Sequence, residues 1–403
     1  MGNRRLSQLH PYPFEQLNQL LADVTPADLP FVSLALGEPK HPTADFLIDR
    51  YRDIDLIKRG FGAYPPTKGL PELRESIAAF ITRRFNLPSA LNPETQVLPV
   101  NGSREGLFAL AQALIDPEEP GVTIMPNPFY QIYEGAALLA GSEPYYLACT
   151  AENNFLPDLS NIPAAVLQKC QLMYLCTPGN PSGAVMSIEQ LQQAIALAIE
   201  YDFILASDEC YSEIYADEDT PPPGLLDAAA QMGHTDFRNC IIFNSLSKRS
   251  NLPGLRSGYV AGSATLISQF LLYRTYHGSA MSVHNQLLST LAWQDEDHVV
   301  LNRALYREKY QAVGSILEGV WPMTQPPASF YLWPETPGMD DKTFAKRLIE
   351  TANIKVLPGS YLSREVAGVN PGANRVRMAL VATVNECVVA AQRIREFLQR
   401  GGL

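Results

Sequence analysis

Six short apolar runs spaced through residues 96–262 constrain this 403-residue chain more than any other feature. They lie at 96–100, 121–125, 172–176, 203–207, 240–244 and 258–261. Continuous apolar runs of that length suit strands buried on both faces of a mainly parallel sheet. Helical patterns at 104–115 and 188–200 supply covers for those faces. The second opens on Ser187-Ile188-Glu189-Gln190, the form of a capping box. The expected fold class is α/β, a mainly parallel sheet with helices on both faces.

The last hundred residues read differently. Residues 301–320, 342–352 and 384–399 read as helices, and 329–333 and 375–380 as strands. That mixture predicts a smaller α+β unit. The chain is also too long for one ordinary core. The expected division is 1–44 as a segment packing with the small unit, 45–290 as the large unit and 291–403 as the small one. The proline-rich stretch at 220–224 reads as a surface loop.

The net charge of −11 argues against nucleic-acid binding, which needs a basic surface. No apolar run approaches the roughly 18 residues of a membrane span. The start, with Arg4 and Arg5 but no apolar stretch behind them, does not read as a secretory signal, so a cytoplasmic location is expected. The six cysteines form no C-x-x-C pair and have no histidine cluster beside them. Buried free thiols are expected, with no metal.

The chemistry concentrates in turns that follow the apolar runs. Ser245-Leu246-Ser247-Lys248-Arg249-Ser250-Asn251-Leu252-Pro253-Gly254-Leu255-Arg256 follows the run at 240–244. A lysine at the mouth of a sheet loses its proton through desolvation and nearby positive charge, and can then form an imine with an aldehyde. Ser245, Ser247 and Arg256 surround it with phosphate-binding groups, since a guanidinium fork matches phosphate oxygens. For this run alone, a surface loop with a solvated lysine is the plainer alternative. The run at 203–207 ends in Asp208, at the carboxyl edge where open α/β sheets bind ligands. A buried aspartate can keep a pyridine nitrogen protonated, and Tyr211 can bond a phenolic oxygen. An N-cap is the alternative for Asp208.

Thr177-Pro178-Gly179-Asn180-Pro181-Ser182-Gly183 is a turn rich in conformational restriction, and Asn180 can serve the same phenolic oxygen. Asn101-Gly102-Ser103-Arg104-Glu105 opens a helix whose N-terminal N–H groups can hold phosphate, or whose serine is an ordinary cap. Gly37 can admit close approach of backbone to a ligand, or mark a plain turn. Tyr130 can stack on a flat ring, or belong to the core. Arg377, in the otherwise apolar Val376-Arg377-Met378-Ala379-Leu380, needs an anionic partner, either a substrate carboxylate or a structural one.

Taken together and in this order, these motifs resemble the class I/II aminotransferases, the fold type I pyridoxal 5′-phosphate enzymes. The resemblance runs from about Gly37 to Leu380. It implies a fold type I architecture with Lys248 as the catalytic lysine that carries the cofactor as a Schiff base and later shuttles a proton. It implies cofactor contacts from Ser103, Arg104, Tyr130, Asn180, Asp208, Tyr211, Ser245, Ser247 and Arg256. Substrate carboxylate contacts fall to Gly37, Asn180 and Arg377. Tyr64, in Gly62-Ala63-Tyr64-Pro65-Pro66, matches a tyrosine that reaches the phosphate of the other subunit, so a homodimer is implied. Ser182 stands where threonine is usual and keeps the hydroxyl.

Further stretches, among them Pro11-Tyr12-Pro13-Phe14-Glu15, Gly37-Glu38-Pro39-Lys40-His41-Pro42 and Tyr273-Arg274-Thr275-Tyr276-His277-Gly278, resemble one branch of that family, the succinyldiaminopimelate aminotransferases of bacterial lysine biosynthesis. That branch implies glutamate and 2-oxoglutarate as the second substrate pair. Its substrate carries distal carboxylates, and Lys40, Arg249 and Arg274 are the candidate cations for them. An aspartate-type or aromatic aminotransferase and a C–S β-lyase use the same lysine and remain alternatives. A transcription regulator would need a DNA-binding domain that the residues before Gly37 are too few to form.

Overall fold

The computed structural model describes residues 2–321 and 323–401. Seven strands build the main sheet: β1 Val97–Val100, β2 Val122–Asn127, β3 Glu143–Ala148, β4 Cys170–Cys176, β5 Ile204–Asp208, β6 Cys240–Ser245 and β7 Gly258–Gly262. Their order is β1-β7-β6-β5-β4-β2-β3, and only β7 runs antiparallel to its neighbours. Side chains alternate between two buried faces, as pleating requires. Along β4, Leu172 and Tyr174 enter one core while Met173 and Leu175 enter the other. Helices such as Ser103–Leu114 and Ile188–Glu200 cover the faces.

All six apolar runs are strands. The seventh strand, β3, was not legible. It lies at the sheet edge, is mostly half-exposed and reads Glu-Pro-Tyr-Tyr-Leu-Ala, so it lacks the apolar continuity of a central strand. The stretch at 220–224 is less of a surface loop than expected. Pro222 and Gly224 are buried, and Arg84 donates to the Pro222 carbonyl at 3.0 Å.

A separate core gathers Tyr310, Val313, Leu332, Phe344, Val376, Met378, Ala390 and Ile394, together with Val32 and Leu34. Helices Asp297–Leu317, Asp341–Ala352 and Val384–Gln399 surround a small antiparallel sheet of Leu357–Pro358, Val376–Ala379 and Tyr331–Leu332. Val32–Ser33 pairs with Ile354–Lys355. We propose a division into large and small units on these cores. The junction at 295–296 falls slightly later than the expected 290/291, because Trp293 and its helix Val283–Gln294 pack into the large core. None of the helices among the described residues is long and apolar enough to cross a membrane.

Helix Ile188–Glu200 begins with a complete capping box. The Gln190 N–H donates to Ser187 Oγ at 3.3 Å and the Ser187 N–H to Gln190 Oε1 at 2.9 Å. Ser187→Ala should destabilise the protein by about 1 kcal/mol, seen as a lower urea midpoint. An unchanged midpoint would mean that packing of Leu191 and Ile195 alone sets where the helix begins.

Candidate active site

The parallel ladder aligns the ends of β4, β5 and β6, with Cys176 opposite Asp208 and Asp208 opposite Phe243. Three turns therefore leave the same sheet edge side by side. They carry Asn180, then Asp208 to Tyr211, then Ser245 to Lys248. A cleft of about 460 Å³ opens there. Gly37, Ser103, Arg104, Tyr130, Asn180, Asp208, Tyr211, Ser245, Ser247, Lys248, Arg256 and Arg377 all line it. Of the expected cofactor and α-carboxylate contacts, Tyr64 alone stands apart from this cleft, at 99% exposure.

One end of the cleft is built for an anion. Helix Ser103–Leu114 points its N-terminus at it, and Gly102 precedes that helix at φ 84°. A Cβ at Gly102 would collide with the Arg256 guanidinium, so glycine is required both for the turn and for the arginine's approach. Arg256, itself at φ 54°, is held by the carbonyls of Pro253 at 2.9 Å and Asn101 at 3.1 Å. Ser245 Oγ lies 2.8 Å from Ser247 Oγ and accepts the Ser247 N–H at 3.1 Å.

The deep end holds Asp208, which accepts from Tyr133 Oη at 2.7 Å and from the Cys210 N–H at 3.3 Å. Burial pushes this carboxyl above the usual range, opposed by the two hydrogen bonds and by Lys248. Between the two ends, Lys248 donates from Nζ to the Gly37 carbonyl. Burial lowers its ammonium to about 8; nearby Arg377 and Arg256 push the same way, while Cys210 and Glu38 oppose.

Arg377 is 4% exposed and lacks an acid partner among the described residues. Its Nη1 donates to Asn180 Oδ1 at 2.9 Å and its Nη2 to the Ala35 carbonyl at 2.8 Å. Its Nε is buried without a partner. Tyr331 lies beneath its guanidinium at 4.5 Å and bonds Tyr211 Oη at 3.0 Å. The same tyrosine closes on Gly37 so tightly that any side chain there would collide with it.

The three cations expected to meet a distal carboxylate lie elsewhere. Arg249 is buried against Phe80 and Trp293 and pairs with Glu296 at 2.8 Å, because its place on the turn directs it into the core. Arg274 is buried beside Glu105. Lys40 is exposed and does not line the cleft. The cation at the mouth is Arg104, whose side chain reaches Tyr130 Oη at 2.6 Å and Tyr12 Oη at 2.9 Å. Tyr133 and Tyr331 were not singled out individually. Tyr133 stands three residues after Tyr130, near one helical turn, and Tyr331 pairs with Ala379 beside Arg377.

These donors fit pyridoxal phosphate. The helix N-terminus, serine hydroxyls and Arg256 suit its phosphate, buried Asp208 suits a pyridinium nitrogen, and Lys248 lies between them. The unpartnered Arg377 Nε suits a substrate carboxylate.

Next to Asp208, buried Glu209 accepts the Leu225 N–H at 2.8 Å through Oε1, while Oε2 has no partner. Burial raises its carboxyl to about 8. The unfolded chain releases that proton near pH ~4.3. The folded state therefore holds an extra proton between these values, so this residue's contribution to stability falls as pH rises from ~4.3 to about 8. Glu209→Gln should match the parent at pH ~4, below the unfolded value, and melt higher than it as the pH approaches about 8. Parallel melting curves of the two proteins across that window would contradict the assignment.

The family Aminotransferase class I and II matches residues 30–394. An LL-diaminopimelate aminotransferase of Desulforudis audaxviator is 32% identical over 401 residues, covering 98% of each chain. The crystal structure of an aminotransferase from Neisseria meningitidis superposes with a TM-score of 0.93 at 46% identity, covering 98% of this chain and 100% of that one. The aminotransferase AspB of Helicobacter pylori superposes with a TM-score of 0.88 at 35% identity, covering 97% and 99%. With a match across nine-tenths of its length and the site geometry above, the chain belongs to the class I and II aminotransferases, enzymes that depend on pyridoxal phosphate.

Proposed function

We propose that the chain moves an amino group between glutamate/2-oxoglutarate and an N-succinylated diaminopimelate, as the sequence motifs of the succinyldiaminopimelate branch imply. The observation that carries the amino-acid half of this reading is Arg377, a buried guanidinium without an acid partner among the described residues. A buried charge needs an anion, and an α-carboxylate is common to both substrates.

In this reading the N–H groups of Ser103 and Arg104 hold the cofactor's phosphate together with Ser245, Ser247 and Arg256. Asp208 faces its ring nitrogen, Asn180 and Tyr211 its ring hydroxyl, and Tyr130 its ring face. When bound, the cofactor supplies an aldehyde for the amino group and an electron sink that acidifies the hydrogen on the substrate's α-carbon. Lys248 takes that proton. An ammonium lowered to about 8 leaves a useful share of neutral amine near neutral pH. Gly37 and Arg377 orient the α-carboxylate, and the Phe330 ring flanks Lys248 Nζ at 5.2 Å.

Arg104 supports a distal carboxylate, since it is the exposed cation that two tyrosine hydroxyls hold at the mouth. A second reading, free LL-diaminopimelate as substrate, is favoured by the name of the Desulforudis relative and by Glu38, a cleft carboxylate able to meet a distal ammonium. We further propose a cytoplasmic homodimer in which Tyr64 serves the partner's site. The exposure of Phe61 and Tyr64, at 78% and 99%, supports a covered surface there.

Steady-state kinetics of the holoenzyme with the succinylated substrate, LL-diaminopimelate and aspartate as donors test the assignment. The succinylated compound should show the highest kcat/KM, and a preference for either of the others would overturn it. Arg104→Gln should raise KM for the succinylated donor roughly tenfold, a loss of ~1.4 kcal/mol, and leave alanine unaffected. Arg377→Ala should weaken every donor, by about 2–5 kcal/mol, with cofactor content unchanged. Equal losses for all donors in the Arg104 variant would remove it from substrate choice.

A further inference from the structure

Segment 37–41 meets Lys248 at both of its ends. At the side-chain end, Nζ donates to the Gly37 carbonyl. At the backbone end, four residues further along the same segment, the His41 ring lies 2.6 Å from Asn302 Oδ1 through Nδ1. The Asn302 amide in turn donates from Nδ2 to the carbonyls of Lys248 at 3.2 Å and Arg249 at 3.1 Å. Lys248 sits on a four-residue helical turn, Leu246–Arg249, whose last carbonyls need donors from outside.

The polarity of this chain follows from its chemistry. Lys309 Nζ approaches His41 Nε2 at 2.5 Å, and an ammonium can only donate. Nε2 must therefore accept, which leaves the ring proton on Nδ1. That proton points to Asn302 Oδ1, and the amide's N–H groups are then committed to the two carbonyls. Every link donates in one direction, toward the backbone of Lys248. A protonated His41 would oppose a second cation, and burial with Lys309 alongside lowers its imidazolium to about 4. Asn302, Tyr306 and Lys309 share one stripe of helix Asp297–Leu317, with the His41 ring against Tyr306 at 4.5 Å between centroids. Asn302 and Lys309 are buried, at 6% and 1% exposure, and the His41 ring is half-buried.

We infer that Asn302 and His41 are positioning residues that hold the catalytic lysine's backbone in register with the Gly37 carbonyl. The inference rests on the reading of Lys248 as the catalytic lysine. Loosening the turn lets Nζ leave its place among Arg377, Arg256, Glu38 and Cys210 and reach more water.

The test uses His41→Leu and Asn302→Leu. In the holoenzyme both should lower kcat roughly tenfold or more, with KM for glutamate changed less than about twofold, as misplacement of a reacting group predicts. The primary isotope effect with Cα-deuterated glutamate should rise, which mere loss of folded enzyme would not cause. In the cofactor-free protein, the pH midpoint for labelling of Lys248 by acetic anhydride should move up from about 8. His41→Asn, which keeps a donor toward Asn302, should restore both readouts. An unchanged isotope effect and labelling midpoint in the leucine variants would overturn the inference. If those variants do not fold, Asn302→Ser and His41→Asn replace them, and equal midpoints in these two would overturn it. A Lys248→Ala enzyme that still transaminates would sink the catalytic reading by itself, because the labelling midpoint does not depend on turnover.

Discussion

The parallel ladder of β4, β5 and β6 holds the site together before any side chain takes part. Its register sets Cys176 against Asp208 and Asp208 against Phe243. A slip of one residue would turn Asp208 from the cleft into the helical layer and send Leu172 and Tyr174 to the wrong core. Strong burial of both faces resists that slip. Phe243, Leu205 and Met173 are fully buried, and each belongs to one face only. The chemistry therefore rests on a register that hydrophobic packing enforces.

Burial then sets the electrostatics. Removing Lys248 from water lowers its ammonium, and removing Asp208 raises its carboxyl, so both neutral forms gain at the same place. Arg377 cannot release its proton and stays charged, with only an amide and a carbonyl for partners. Such a site is stable without ligand at some cost. In the proposed function, a cofactor with a cationic ring and a phosphate, followed by a substrate carboxylate, would supply the missing counter-charges. Binding is thereby tied to charges that the fold leaves unanswered.

Much of this was legible in the chain. Lys248, Asp208 and Asn180 stood out because each lies at or just past the end of an apolar run, where an open α/β sheet exposes its carboxyl edge, and Arg256 because it follows in the segment that carries Lys248. Arg377 was readable because a charge in an apolar strand demands a reason. Cations were harder to assign. Arg249 follows Lys248 and Arg274 lies in a family-like stretch, yet both side chains are buried and pair with the partly exposed carboxylates of Glu296 and Glu105. Sequence adjacency on a helical turn says little about direction, since neighbours there point about 100° apart. Strand β3 was hidden for a related reason: its side chains are mostly half-exposed, so it lacks the apolar signature that β1, buried at the opposite edge, retains.

Local physics thus determined, from the sequence alone, the strands of the large sheet other than β3, several of the helices and their caps, and which turns line the cleft. Those properties depend on runs of a few residues, where pattern and propensity act directly. Tertiary structure decided which side chains meet. Tyr133 reaches Asp208 across 75 residues of chain, Arg104 turns to Tyr12 and Tyr130, and His41 reaches the backbone of Lys248 through Asn302. No local pattern encodes such contacts, because they arise only when separate elements are packed at fixed distances by the burial of the cores between them.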